Sequence, residues 1–267
     1  MEVYIGVGVL FIAWLVVAFA EHQSKTKRLQ QMSKPFPEEY KRILDKNFKI
    51  LNKFPNEMKL KLFGLINVFL AEKDFTGCND LKVTEEIRVT IAAQACLLLV
   101  NNKTQSWYKK LHTVLVYPSA YVAKGHDGAE SCVRLGESWG GGSIVLSWSS
   151  SRHGGVNFQD GQNVIIHEFA HQLDQVDGVA DGVPTLESGC YASWATLLGK
   201  EHKSLVNKTM KNQKTVLDKY GATNKAEFFA VASEFFFEKP RQLSKKHWEL
   251  YEELKGYYGC DPIDWVK

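Results

Sequence analysis

The sequence predicts an α+β fold, mainly helical with a small mixed sheet and preceded by an N-terminal transmembrane helix. Three observations predict it. An uncharged apolar run extends from Val3 to Ala20, apolar residues recur at helical spacing from Glu38 to Asn102 and again after Gly161, and two strand-like runs lie between them.

The first element is the apolar run, 18 residues from Val3 to Ala20. At about 1.5 Å per residue this is close to the minimum for spanning a hydrocarbon core of roughly 30 Å. A cleaved signal peptide is the alternative, because Ala18-Phe-Ala20 resembles a cleavage site and would release a secreted or periplasmic protein. Such a peptide wants a positive start, and here the run is preceded by Glu2 with no Lys or Arg. Lys25, Lys27 and Arg28 follow the run, and positive flanks stay cytoplasmic. The expectation is therefore an anchor over 1–20, a polar tether over 21–36 ending at Pro35 and Pro37, and a body over 37–267 facing the cytoplasm.

Within the body, Tyr40, Ile43, Leu44 and Phe48 begin a helical pattern that continues through Met58–Phe69 and Ile87–Leu99, so three helices are expected with a break around Gly77–Asp80. Thr113–Tyr117 and Ser143–Trp148, separated by Gly140 to Gly142, read as strands of a small sheet. Helices are expected again at 162–176, 188–199, 203–219, 224–237 and 244–255.

Composition limits what the protein does. Apolar residues make up 45% of the chain, enough for one large core or two small ones. A formal charge of +3, from 33 basic and 30 acidic residues spread along the chain, selects neither nucleic acid nor an acidic substrate. The five cysteines are scattered and never form C-x-x-C, which argues against a disulfide framework or a cysteine metal site.

The chemistry concentrates at His167-Glu-Phe-Ala-His171, an H-E-x-x-H sequence behind the apolar residues Val164, Ile165 and Ile166. Residues four apart stack one turn above each other on a helix, so both imidazoles reach one ion. Glu168 lies beside that point, where a carboxylate can take a proton from a zinc-activated water.

A catalytic zinc site needs a third protein ligand and an open position. Asp177 stands ten residues past His167, where the extended metzincin pattern has its last ligand. That pattern requires a glycine where this chain has Asp174, and a Met-turn that Met210 in its polar segment does not supply. Asp177 therefore reads as a turn residue before Gly178. Glu227 and Glu234 are better placed, seven apart on one face of an otherwise apolar helix, although either could instead mark a solvent-facing edge.

Residues 163–174, together with Tyr220-Gly-Ala-Thr-Asn-Lys-Ala-Glu-Phe-Phe-Ala-Val-Ala-Ser-Glu234, resemble the MtfA (Mlc titration factor) family of zinc peptidases. The likeness extends to Ala92–Leu99 and Val145–Trp148 and covers roughly residues 40–260, an extent judged from short motifs. The family's catalytic core is related to that of anthrax lethal factor. The resemblance implies a zincin-like domain in which His167, His171 and Glu227 bind Zn2+ and Glu168 is the base. Tyr220 would donate to the oxyanion of a tetrahedral intermediate, or serve only as a helix-end residue before Gly221. Asp174 either bonds a ligand imidazole from behind or simply ends the helix.

The same resemblance implies a peptide or protein substrate, aminopeptidase activity, and a transcriptional repressor as protein partner. The N-terminal anchor is not part of the family pattern, so substrate preference and partner carry over poorly. Two readings compete: a membrane-tethered zinc peptidase, and a regulatory binding protein that keeps the zincin fold to sequester a partner. A complete ligand set accompanied by a base favours the enzyme.

Overall fold

A single helix, α1 (Glu2–Met32), opens the chain in this computed structural model, which describes residues 2–102, 107–123, 132–134, 136–139 and 141–265. Among the described residues no helix is long and apolar enough to cross a membrane, which corrects the expected anchor over 1–20. The uncharged run lies at the short end of the roughly 17–25 residues that spanning helices use. It also passes without a break into a charged half that is committed to the domain. Arg28 pairs with Glu72 at 2.6 Å, and the Asn67 side chain donates to the Lys34 carbonyl at 3.0 Å. The expectations built on the anchor fall with it: single-pass membrane localisation with the body in the cytoplasm, and the membrane as a partner. Residues 21–32, read as a tether, are the helical stretch from which Arg28 reaches Glu72.

The three helices expected before residue 102 are α2 (Glu38–Asn47), α3 (Asn56–Glu72) and α4 (Glu85–Leu97). The expected break between the last two also holds a short strand, β1 (Asp74–Gly77), at whose end Gly77 passes close under the Leu81 carbonyl. The other strands are β2 (Thr113–Tyr117), β3 (Tyr121–Ala123), β4 (Cys132–Arg134), β5 (Gly136–Trp139) and β6 (Ser143–Ser147). The main sheet has the order β1-β2-β6-β5, parallel except for β5, which runs antiparallel to β6; β3 and β4 form a separate antiparallel pair.

Trp148, read as the end of a strand, instead opens α5 (Trp148–Val156). The Ser147 hydroxyl accepts from Ser150 N, and a run of serines caps a helix better than it extends a strand. After α6 (Val164–Asp174), the two helices expected over 188–219 are one, α7 (Tyr191–Met210). Gly199 costs its interior about 1 kcal/mol without breaking it. Next comes α8 (Lys225–Glu238). The expected 244–255 helix is divided at His247, whose φ of −139° is not helical, into α9 (Pro240–Lys246) and α10 (Trp248–Tyr258).

Val114 and Val116 of β2 and Ile144 and Leu146 of β6 are fully buried, and they carry the sheet into the same core as α4, α6 and α8. α6 packs against α8 on one side, α4 on another, and the β5–β6 edge of the sheet. It is a central helix, and its exposed aspect is the cleft.

Candidate metal centre

α6 begins at Asn163, whose side-chain oxygen accepts from the backbone N–H groups of Ile165 and Ile166 at 3.1 Å each. This cap satisfies two of the four N–H groups that a helix start leaves without partners. Ile165, Ile166, Phe169, Ala170 and Leu173 face the core. The remaining stripe carries His167 and His171, their rings 4.9 Å apart.

The third group comes from α8, which is apolar nearly all round and correspondingly buried. Its cap is Asn224, whose side chain accepts from Glu227 N at 2.9 Å. In a capping box the residue at this third position folds back to the cap. Here the Glu227 carboxylate turns to the histidines instead, with Oε2 at 2.9 Å from Nε2 of His167 and 3.4 Å from Nε2 of His171. Burial works to raise the Glu227 pKa, but hydrogen bonds from both imidazoles overcome it and hold the carboxyl well below its usual range.

His167, His171 and Glu227 form a group that could hold a metal ion, their ligand atoms within 4.8 Å of one another. Bonds of about 2.0–2.1 Å at tetrahedral angles place ligand atoms about 3.3 Å apart. The two histidine-to-carboxylate spacings, 2.9 and 3.4 Å, bracket that value. Asp177 is not one of them. It is exposed and accepts from Val179 N at 3.0 Å, an Asx turn.

Glu234, two turns beyond Glu227, approaches His167 from behind. Its Oε1 lies 2.7 Å from Nδ1, and its Oε2 accepts from the backbone N–H of Asn163 at 2.6 Å. Both ring nitrogens of His167 face carboxylates, Nδ1 toward Glu234 and Nε2 toward Glu227; were a metal ion to take the place of the Nε2 proton, Glu234 would hold the remaining proton on Nδ1. Glu238 continues the arrangement, accepting from Gly161 N at 2.8 Å and from the Asn163 amide at 3.0 Å, and burial raises its pKa to about 8. Asn163 also donates to Gln94 Oε1 at 3.1 Å. The sequence reading did not single out Asn163, Gln94 or Glu238. The signal for Asn163 was its cap position, a polar residue directly before an apolar run.

Glu168 is 7% exposed, and burial raises its pKa to about 7. Tyr220 sits in a 3-10 turn with its own N–H donating to the Asp218 side chain at 2.8 Å and its ring 5.9 Å from that of His167. Among the described residues Asp174 bonds no imidazole. Its Oδ2 accepts from Gly182 N at 2.9 Å, tying the following loop to the end of α6 where Gly182 passes tightly under Lys225. The cleft has two lobes, of about 320 Å³ and about 840 Å³, which share Gly136, His167, Glu168, Tyr220 and Glu227. Asn224 and Lys225 help line the smaller lobe, and Ser149, Ser150 and His153 the larger.

The family described as glucose-regulated metallo-peptidase M90 matches residues 21–259. A Synechocystis sp. protein, slr2042, is 39% identical over 251 residues, covering 91% of each chain. Mlc titration factor A of Escherichia fergusonii is 31% identical over 229 residues, 80% of this chain and 83% of its own. Mlc titration factor A of Cronobacter sakazakii is 30% identical over 223 residues, 78% of this chain and 81% of its own. A match running from residue 21 to 259, over a helix pair that converges on a histidine–histidine–glutamate group, means that this chain belongs to the Mlc titration factor A (MtfA) family of M90 metallo-peptidases.

Proposed function

We propose that the chain is a zinc peptidase that hydrolyses peptide bonds in peptide or protein substrates. The observation that carries this reading is the convergence of His167, His171 and Glu227 beside the buried carboxylate of Glu168, at the meeting point of the two cleft lobes. Two imidazoles and one carboxylate suit zinc and leave a coordination position open. A bound zinc ion supplies Lewis acidity there and lowers the pKa of water toward 7.

Glu168 takes a proton from the attacking water and passes it to the leaving amine. Burial raises its pKa above the usual carboxylate range, which makes the carboxylate a stronger base. Tyr220, on the cleft wall beside His167, donates a hydrogen bond from its phenol to the oxyanion as the carbonyl becomes tetrahedral. Glu234 holds His167 in the required tautomer, and the cleft takes the peptide chain.

A regulatory reading, in which the chain sequesters a partner such as a transcriptional repressor, draws on the name of the Mlc titration factor A relatives. The buried base favours turnover, because sequestration has no use for it. Glu168→Gln decides between them. The variant is expected to keep its metal and fold while losing about 10²–10⁴-fold in turnover, and undiminished cleavage of peptides would refute the peptidase reading.

A further inference from the structure

Gly136 opens β5, the edge strand of the main sheet, paired with Leu146 of β6. A β-carbon at this position would stand 2.6 Å from Cγ and 2.7 Å from Oε1 of Glu168, and 2.7 Å from Cγ2 of Val164. Gly136 lies in a strand paired residue for residue with β6, a backbone that residues other than glycine adopt readily. What excludes a side chain is the volume Glu168 occupies. A glycine inside a strand marks such a close approach.

We propose that Gly136 is a positioning residue for Glu168: its bare α-carbon leaves the space in which the carboxylate rests against the edge strand, beside the histidine–glutamate group. The proposal rests on Glu168 acting as the base. Carbon atoms in contact sit about 3.5–4.0 Å apart, so alanine at 136 forces a retreat of about 1 Å. Val164 is β-branched and stiff, which leaves the Glu168 side chain to move. A misplacement of that size costs a reacting group about 10²-fold in rate.

The test is Gly136→Ala in the full zinc-loaded chain, with denatured casein as the probe substrate. Zinc content is expected to stay at wild-type level and KM to be unchanged, while kcat falls about 10²-fold. A crystal structure of the variant should show the Glu168 carboxylate displaced by about 1 Å. In a Glu168→Gln background the same substitution should add no further loss, since the two act as one unit. Val164→Ala, which removes one of the clashing groups, should restore part of the rate, and it keeps the test open if the single variant folds poorly. An unmoved Glu168 in the crystal structure, an equal additional loss in the Glu168→Gln background, or loss of zinc together with activity would overturn the proposal. Full turnover in Glu168→Gln alone would instead sink the peptidase reading, and the position of Glu168 in the crystal structure would still decide the part played by Gly136.

Discussion

Replacing Glu234 by glutamine keeps its size and removes one of its two acceptors. In the wild type, Oε1 faces Nδ1 of His167 at 2.7 Å and Oε2 accepts from Asn163 N at 2.6 Å. A glutamine has a single acceptor oxygen and an NH2 group that only donates. If the oxygen faces His167, the Asn163 N–H is left buried against another donor, at a cost of about 1–3 kcal/mol in stability. If it faces Asn163, the imidazole proton must shift from Nδ1 to Nε2, where the lone pair is needed for metal. Loss of such an outer partner costs about 10–100-fold in metal affinity, equivalent to about 1.4–2.8 kcal/mol. The substitution is thus far from conservative. Glu234→Gln is expected to lose one quantity or the other, and Glu234→Ala to lose both. Urea unfolding of the metal-free protein and zinc competition against a chelator separate the two. A glutamine variant within about 0.5 kcal/mol of wild type on both scales would refute the reasoning, because that is the range of an ordinary surface change.

Glu227→Ala should strip the metal, while Asp177→Ala, which loses only an Asx turn, should keep it; metal analysis after dialysis checks both. Tyr220→Phe should lower kcat by about 10²–10³-fold if the phenol meets the oxyanion, and an unchanged kcat would reduce Tyr220 to a wall of the cleft. Burial raises the Asp174 pKa from 3.8 to about 6, so its contribution to stability is whole below pH 3.8 and lost as pH rises through 6. Metal-free Asp174→Asn should therefore match wild type near pH 4 and exceed it by about 1–3 kcal/mol at pH 8. Denaturation as a function of pH reads this directly, and a constant difference across the range would count against it.

Much of the site was legible because its information is local. The four-residue spacing of His167 and His171 puts them on one helix face whatever surrounds them, and Asn163 and Asn224 mark the two helix starts by their own hydrogen bonds. Local periodicity misleads where continuity depends on packing. Gly199 did not end α7, and the serines after β6 turned a strand ending into α5.

The sequence by itself determined that two imidazoles and a carboxylate would share one helix, and that Glu227 and Glu234 would share a face of another. Which glutamate meets which ring nitrogen was decided only by how α8 crosses α6. That crossing brings the first turn of α8 to the Nε2 side of His167 and the third turn to the Nδ1 side. No pattern within either helix encodes the choice, because it depends on residues some 60 positions apart packing through a common core. The N-terminal run shows the same division. Its lack of charge is local and suggested a span, whereas the engagement of Arg28 with Glu72, 44 residues along the chain, is a tertiary contact. Gly136 is the clearest case: an unremarkable glycine in sequence, it is confined by a carboxylate 32 residues later, because only folding brings the edge strand down onto Glu168.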